Sequence, residues 1–239
     1  MPVVWVSVGG IVAVVVVALV VAARQGKGWW KFLLAGAAGW LVAQWAKGLI
    51  VLPLAAAYGH GSGLARGSAI LSTLWWFPVF GALLAGVWEE LGKYVPLRWL
   101  RVDAYGQALA LGLGAGALEA LVLAAGVMGA AGAGFGGETA GAALISVWER
   151  FWAIALHAGL ATADGLAVVR RRVRWLLLAI GLHTAADLGA GWYQHTAAVH
   201  AGAAQAALLT AELVAAAVAV VTWMVGRRIW AADQPSTPA

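Results

Sequence analysis

Long apolar stretches separated by short basic clusters dominate the hydrophobic pattern of this chain. A membrane-spanning helix needs about 20 apolar residues, and seven stretches meet that length: 3–23, 32–57, 69–97, 104–128, 141–169, 175–193 and 203–226. The pattern therefore predicts an all-α, multi-pass protein of the cell membrane. The second, third and fifth stretches are long enough to require tilt or a break. Pro53 and Pro78 are the expected break points, because proline removes a backbone hydrogen-bond donor.

Composition supports the same class of protein. Only 10% of the 239 residues are charged and 63% are hydrophobic, whereas about 25% of the residues of a soluble domain are charged. The absence of cysteine excludes disulfides and thiolate metal sites. We expect residues 1–230 to form one transmembrane domain, with an uncleaved first helix, and residues 231–239 to be a disordered cytoplasmic tail.

The basic residues predict the orientation of the chain in the membrane. Alternate connections contain twelve of the 15 lysines and arginines. Because basic loops stay in the cytoplasm, the N-terminus is expected outside and the C-terminus inside. The net charge of +5 is explained by this asymmetry, and no nucleic-acid partner is expected. The twelve residues are Arg24, Lys27, Lys31, Lys93, Arg98, Arg101, Arg170, Arg171, Arg172, Arg174, Arg227 and Arg228.

Ionisable residues inside the predicted spans are the exception to this apolar pattern. Each costs roughly 3 kcal/mol at the bilayer centre, so the group is expected to face a shared hydrated cavity. At 1.5 Å per helical residue, four of them lie roughly 12–20 Å from the basic ends of their helices. These four are Glu90, His157, His183 and Asp187, with Glu89 beside them; Lys47, Glu119, Glu149 and Arg150 form a second layer further out.

Three further expectations concern the surroundings of this group. Lys47 is predicted to be a counter-ion for Glu119 or Glu149. Asp164 is expected at the cytoplasmic interface, and Glu212 is expected to serve packing, since no partner motif accompanies it. The glycines preceding Glu119 form a small-xxx-small pattern that lets helices approach closely.

The residue types define two alternative chemistries. Glutamate and histidine together can act as a general base for water, and His183, with Asp187 holding its other ring nitrogen, could donate a hydrogen bond to a developing oxyanion. Alternatively, His157, His183 and Glu119 could bind a divalent metal such as zinc, with one position open. The chain has no HExxH motif, so the usual signature of zinc proteases is missing.

Functions other than hydrolysis also fit such a group. Intramembrane Glu, Asp and His form proton or cation relays in transporters, although no symmetry between two halves of the chain is evident. A non-catalytic relative that only binds a substrate would have the same residues. A retinal protein is excluded, because the last span has no lysine to form a Schiff base.

Four motifs resemble those of a known protease family. Residues 89–93 (EELGK) resemble the EExxK motif of PrsW-type intramembrane proteases, and residues 112–119 (GLGAGALE) resemble their glycine-rich helix. Arg150 with His157, and residues 183–187 (HTAAD), resemble their two histidine motifs. Over about residues 80–190 the chain is most similar to the YhfC-like membrane peptidases, within the clan that includes CPBP and CAAX-type proteases.

This resemblance implies a glutamic-type intramembrane endopeptidase that acts on a membrane protein or peptide. It implies that Glu89 activates water with His157, that Glu90 pairs with Lys93, and that His183 with Asp187 stabilises the oxyanion. Glu119 would be an additional acid, and Glu149 and Arg150 would support the site. Departures from the CAAX-type motifs are Ala153 in place of the phenylalanine of FxxxH and Asp187 in place of asparagine.

Overall fold

The computed structural model describes residues 2–60, 63–133 and 139–232, and these residues form helices and short turns without any strand. The predicted all-α fold is therefore confirmed. Eight α-helices follow in order: α1 Pro2–Ala23, α2 Trp29–Gly59, α3 Leu64–Thr73, α4 Phe77–Trp99, α5 Tyr105–Gly132, α6 Ala140–Val169, α7 Arg174–Val199 and, after a 3-10 turn at Ala201–Ala203, α8 Ala204–Ala232.

The third predicted span is not one helix. It is divided into α3 and α4, which meet at an angle of 109°. Pro78 lies in the first turn of α4, where a missing N–H costs nothing, so the expected break at this proline is present. Five helices are long and apolar enough to cross a membrane, or six if α3 and α4 count as one span. The predicted number of seven spans also needs α7, which is not among them.

Two other expectations about helix ends need correction. Pro53 lies inside α2, which continues to Gly59, so the break expected at this proline is absent; α6 is continuous over 30 residues, which leaves tilt as the expectation for its length. Helix α8 reaches Ala232, two residues into the predicted tail. The disorder expected for residues 233–239 concerns a segment outside the described residues.

The basic connections gather at one end of the bundle. Gln25, after α1, lies against Gly106 at the start of α5. The ring of Tyr105 is 6.4 Å from that of Trp230, near the end of α8. The end of α1, the start of α5 and the end of α8 therefore lie on the same side of the bundle, as the distribution of basic residues predicts. Which side of the membrane this is stays a prediction.

Helix α5 lies at the centre of the bundle and packs against α1, α2 and α6. Its backbone touches that of α6 where α5 contains glycine. A Cβ added to Gly116 would lie 2.7 Å from the Cα of Ile154 and 3.3 Å from the imidazole Cδ2 of His157. The close approach predicted from the glycine pattern is therefore present, and it brings Glu119, one turn further along α5, next to His157.

Replacing Gly116 with alanine is expected to force α5 and α6 apart. Overpacking of this kind costs about 1–3 kcal/mol, so Gly116→Ala should lower the melting temperature of the detergent-solubilised protein. Gly126→Ala is the matched control, because it lies in the same helix with nothing within 4 Å of its added Cβ. Equal melting temperatures for the two variants would contradict the close contact.

Candidate active site

Glu89 and Glu90 point from α4 toward different neighbours. Glu89 faces α2, where Gln44 Nε2 donates a hydrogen bond to its Oε1 at 3.1 Å and Lys47 Nζ forms an ion pair with the same oxygen. Lys47 was expected to neutralise Glu119 or Glu149, so that prediction was wrong. The position of a residue along its helix predicts how deep the side chain lies, but it does not predict the direction in which α2 turns Lys47.

Glu90 is completely buried between α4 and α7. Its Oε1 accepts a hydrogen bond from Lys93 Nζ at 2.6 Å and also contacts Nδ1 of His183. Asp187 was expected to hold the second ring nitrogen of His183. Its Oδ2 instead lies 3.6 Å from Nε2, on the side of the ring opposite Glu90. Glu90 thus fixes the orientation of His183.

His157 is the corresponding residue of α6. Its Nε2 lies 2.7 Å from Glu119 Oε2, and its Nδ1 lies 3.5 Å from Lys93 Nζ. The rings of His157 and His183 are 5.3 Å apart at an angle of 80°. The two imidazoles therefore stand side by side, each touched by a different glutamate.

Arg150 holds the outer edge of the site. Its Nη1 donates to Glu119 Oε1 at 2.7 Å, and its Nη2 donates to Glu149 Oε1. One oxygen of Glu119 is thereby fixed by the guanidinium, while the other faces His157.

Three ligand atoms converge at the centre of these contacts. Glu89 Oε2 is buried without a hydrogen-bond donor among the described residues, and it lies 3.8 Å from His157 Nε2 and 3.7 Å from His183 Nε2. One ligand atom from each of the three residues lies within 4.8 Å of the others. The carboxylate in this group is Glu89. Glu119, which had been expected as the third ligand, is held by Arg150 of α6 instead.

Two cavities that share several lining residues border the site. The larger, of about 510 Å³, lies between α2, α4, α5, α6 and α7 and reaches Ser72 and Pro78 at the break between α3 and α4. The smaller, of about 100 Å³, lies beside both histidines and extends to α8. Glu89, Glu119 and Asp187 line both, so these carboxylates border space large enough for water.

Two acids that had not been assigned to the site, Asp164 and Glu212, belong to these surroundings. Asp164 is fully buried beside Glu90, and is not at an interface. It lies seven residues, or two helical turns, from His157, and this spacing could have placed it on the same face. Glu212 lines the smaller cavity; as a lone acid in the apolar α8 it gave no signal beyond its own rarity.

Every residue predicted for the site is therefore found in one cluster. The six candidate catalytic residues Glu89, Glu90, Glu119, His157, His183 and Asp187 and the three supporting residues Lys93, Glu149 and Arg150 come together from α4, α5, α6 and α7. The sequence analysis missed Gln44 and Asp164 and the partner of Lys47.

Fold and site together define a multi-pass helical membrane protein with a buried Glu/His centre. A family model described as YhfC intramembrane metalloprotease matches residues 10–133, just over half of the chain. The chain therefore belongs to the YhfC intramembrane metalloprotease family. The matched segment contains Glu89, Glu90 and Glu119 and ends before the two histidines.

A curated relative agrees with this family. The uncharacterized membrane protein YhfC of Bacillus subtilis (strain 168) is 38% identical to the chain over 50 residues, which are 20% of this chain and 19% of the relative. The match thus spans about a fifth of the relative's length. No solved structure matches significantly. The wider relation to PrsW-type and CPBP proteases stays a prediction.

The buried pair of Lys93 and Glu90 is expected to be essential for stability. Removing one partner of a buried ion pair costs about 3–5 kcal/mol, so Lys93→Met should unfold at a much lower temperature than the wild type. Lys27→Met, in an exposed turn, should change stability by no more than about 0.5 kcal/mol. Adding Glu90→Gln to Lys93→Met should restore part of the loss, because the unpaired charge is removed. Equal unfolding of Lys93→Met and Lys27→Met in detergent would show that the pair contributes nothing.

Proposed function

We propose that this protein is a metal-dependent intramembrane endopeptidase, in which Glu89, His157 and His183 hold a divalent metal ion such as zinc. The observation that supports this most directly is the orphaned Oε2 of Glu89. A buried carboxylate oxygen without a donor is costly, and this one faces the Nε2 atoms of two imidazoles at 3.8 and 3.7 Å.

The three residues fit a metal in number, type and spacing. Catalytic zinc uses three protein ligands, commonly two histidines and a glutamate, and leaves one position open. Bonds of about 2.0–2.1 Å in a tetrahedral site place ligand atoms about 3.4 Å apart, close to the 3.8 and 3.7 Å that separate Glu89 Oε2 from the two Nε2 atoms. The contact of Glu90 with Nδ1 of His183 is the kind that orients a metal-binding imidazole.

The charges around the site also favour a cation. Six carboxyl groups gather there, from Glu89, Glu90, Glu119, Glu149, Asp164 and Asp187, against three cationic side chains, from Lys47, Lys93 and Arg150. Net charge is expensive in a membrane interior, so a cluster in which carboxyl groups outnumber cationic side chains needs protons or a further cation. A divalent ion would bring the cluster closer to neutrality.

The chain's own residues would supply the proton transfers. A bound metal ion polarises a carbonyl group and makes water more acidic. Glu119, whose Oε1 is fixed by Arg150 and whose Oε2 lies beside the ligand atom Nε2 of His157, would accept the proton of the attacking water. It would then return that proton to the leaving amine. Asp187, whose Oδ2 lies 3.6 Å from Nε2 of His183 and which lines both cavities, would be a further acceptor for protons beside the ligands.

The substrate in this proposal is a segment of a membrane protein or peptide. The larger cavity falls within the range of about 300–1,000 Å³ that is common for ligand pockets. Within a bilayer a helical substrate has its carbonyl groups hydrogen-bonded internally. The segment to be cut would therefore have to unwind into the cavity before its carbonyl group became available for attack.

A second candidate mechanism is the metal-free, glutamic-type one, and one observation favours it. Lys93 Nζ faces Nδ1 of His157, and an ammonium group can only donate. That contact places the proton of a neutral His157 on Nε2, where it would be donated to Glu119 rather than leaving Nε2 free for a metal. In this mechanism Glu89 would activate the water with His157, and His183 with Asp187 would stabilise the oxyanion.

Metal content tests the first mechanism directly. Purified protein equilibrated with zinc and then desalted should retain about one ion per chain. His157→Ala and His183→Ala should lose it, because each removes one of the three ligands. His200→Ala is the matched control, since His200 is exposed and lies outside the cluster. Elemental analysis of the four proteins measures this; equal zinc in all of them would rule out the proposed ligands.

Cleavage assays separate the two mechanisms. With membrane peptides in proteoliposomes, Glu119→Gln should lower the rate by about 10²–10⁴-fold, the usual contribution of a general base, while zinc content stays unchanged. A strong chelator should abolish wild-type cleavage, and added zinc should restore it. Cleavage that persists after complete metal removal but disappears in Glu89→Gln would favour the metal-free mechanism.

The same experiment decides between proteolysis and the other functions. Cleavage that survives both Glu89→Ala and His157→Ala would contradict either mechanism. Proton or cation flux that these two substitutions abolish, without cleavage of any peptide, would indicate a transporter instead.

A further inference from the structure

A third cavity lies at the basic end of the bundle and shares no lining residue with the two beside the Glu/His cluster. It has a volume of about 750 Å³ and lies between the turn that joins α4 to α5 and the turn that joins α6 to α7. Arg98, Arg101 and Arg171 line it, together with Tyr94 and Asp103. Nothing in the proposed proteolytic mechanism uses these residues.

The two turns have the same unusual backbone geometry. Arg101 and Arg171 have φ values of 56° and 51°, in the left-handed region. In each turn the following residue donates to a carbonyl five positions earlier, Val102 N to Leu97 O at 3.0 Å and Arg172 N to Ala167 O at 3.1 Å. Both helices therefore end in the Schellman motif, whose left-handed position is normally glycine.

An arginine at such a position is unfavourable for the backbone and must be explained by its side chain. Glycine adopts this conformation freely, and the chain has 32 glycines. Arginine nevertheless stands at the left-handed position of both turns, and both side chains line one cavity. The repetition indicates that the guanidinium groups are needed there.

These guanidinium groups have no carboxylate partner among the described residues. Arg98 has only a long hydrogen bond to Tyr94 Oη, at 3.5 Å. The neighbouring Arg170 and Arg174 are placed differently, since both lie over the ring of Trp175, at 5.6 and 5.4 Å. Three cationic groups thus surround the cavity with Asp103 as the one acid among its lining residues.

The exposed side chains around the cavity are of the kinds expected at a membrane surface. Trp99, at the end of α4, is 84% exposed, and Val173, in the second turn, is 64% exposed. Tryptophan and arginine beside exposed aliphatic side chains at helix ends are typical of the zone of lipid headgroups. The exposed apolar groups would contact acyl chains while the arginines face the headgroups.

We propose that Arg98, Arg101 and Arg171 form a binding site for the phosphate of an anionic phospholipid. Planar guanidinium groups bind phosphate oxygens in pairs of parallel hydrogen bonds, and basic pockets between helices at this level are suited to lipid headgroups. The binding site is separate from the proteolytic centre and does not depend on the function proposed for it.

The test replaces both left-handed arginines with glycine, Arg101→Gly with Arg171→Gly. Glycine suits the backbone at both positions, so the double variant should fold at least as well as the wild type, which its melting temperature checks. Retention of phosphatidylglycerol by the full-length protein, measured by native mass spectrometry in detergent, should weaken about 30-fold. Phosphatidylcholine, which has no net charge, should bind weakly to both proteins.

The matched control removes two arginines at the same end of the bundle but away from the cavity. Arg227→Gln with Arg228→Gln takes the same charge from exposed positions of α8 and should leave phosphatidylglycerol binding within about twofold. An equal loss in both double variants would show a general charge effect and overturn the proposal, as would unchanged binding in the glycine variant. Displacement of the lipid by millimolar inorganic phosphate would assign the cavity to free phosphate instead of a lipid.

Discussion

The need to neutralise charge inside a bilayer governs this structure more than any other interaction. Glu90 is completely buried, and its contacts with Lys93 and His183 connect α4 to α7. Lys93 in turn approaches His157 of α6. Unpaired, each of these groups would oppose insertion; together they fix the relative positions of three helices. Elsewhere the bundle relies on apolar packing, which alone gives lipid-embedded helices little preference for one partner over another.

Small residues make this charge pairing possible. At Gly116 the backbone of α5 touches α6, so that the carboxylate of Glu119 reaches His157 at 2.7 Å while Arg150 holds its other oxygen. A larger side chain would separate the helices by more than these contacts tolerate. The apolar framework and the polar centre are thus linked, because the first sets the spacing on which the second depends.

The sequence predicted which residues would gather but not how they would pair. Depth along each helix follows from residue count, so the meeting of Glu90, His157 and His183 could be expected. Pairing depends on how each helix is rotated about its own axis, and the depth of a residue does not specify this rotation. For this reason Lys47 was assigned to the wrong glutamate. The steep angle between α3 and α4 was not predictable either, since a proline indicates where a helix breaks and not the direction in which it resumes.

Helix α6 has Arg150, His157 and Asp164 at intervals of seven residues, a polar line that extends about 21 Å at 1.5 Å per residue. Such a line would let protons leak across the membrane if they could pass along its whole length. Arg150, at one end of the line, borders the larger cavity, but Asp164, at the other end, is fully buried. Beyond it lie tightly packed apolar residues that include Leu97, Leu166 and Trp230. Among the described residues the line therefore meets a cavity at one end and packed side chains at the other, an arrangement that would admit protons to the site without letting them cross the bilayer along α6.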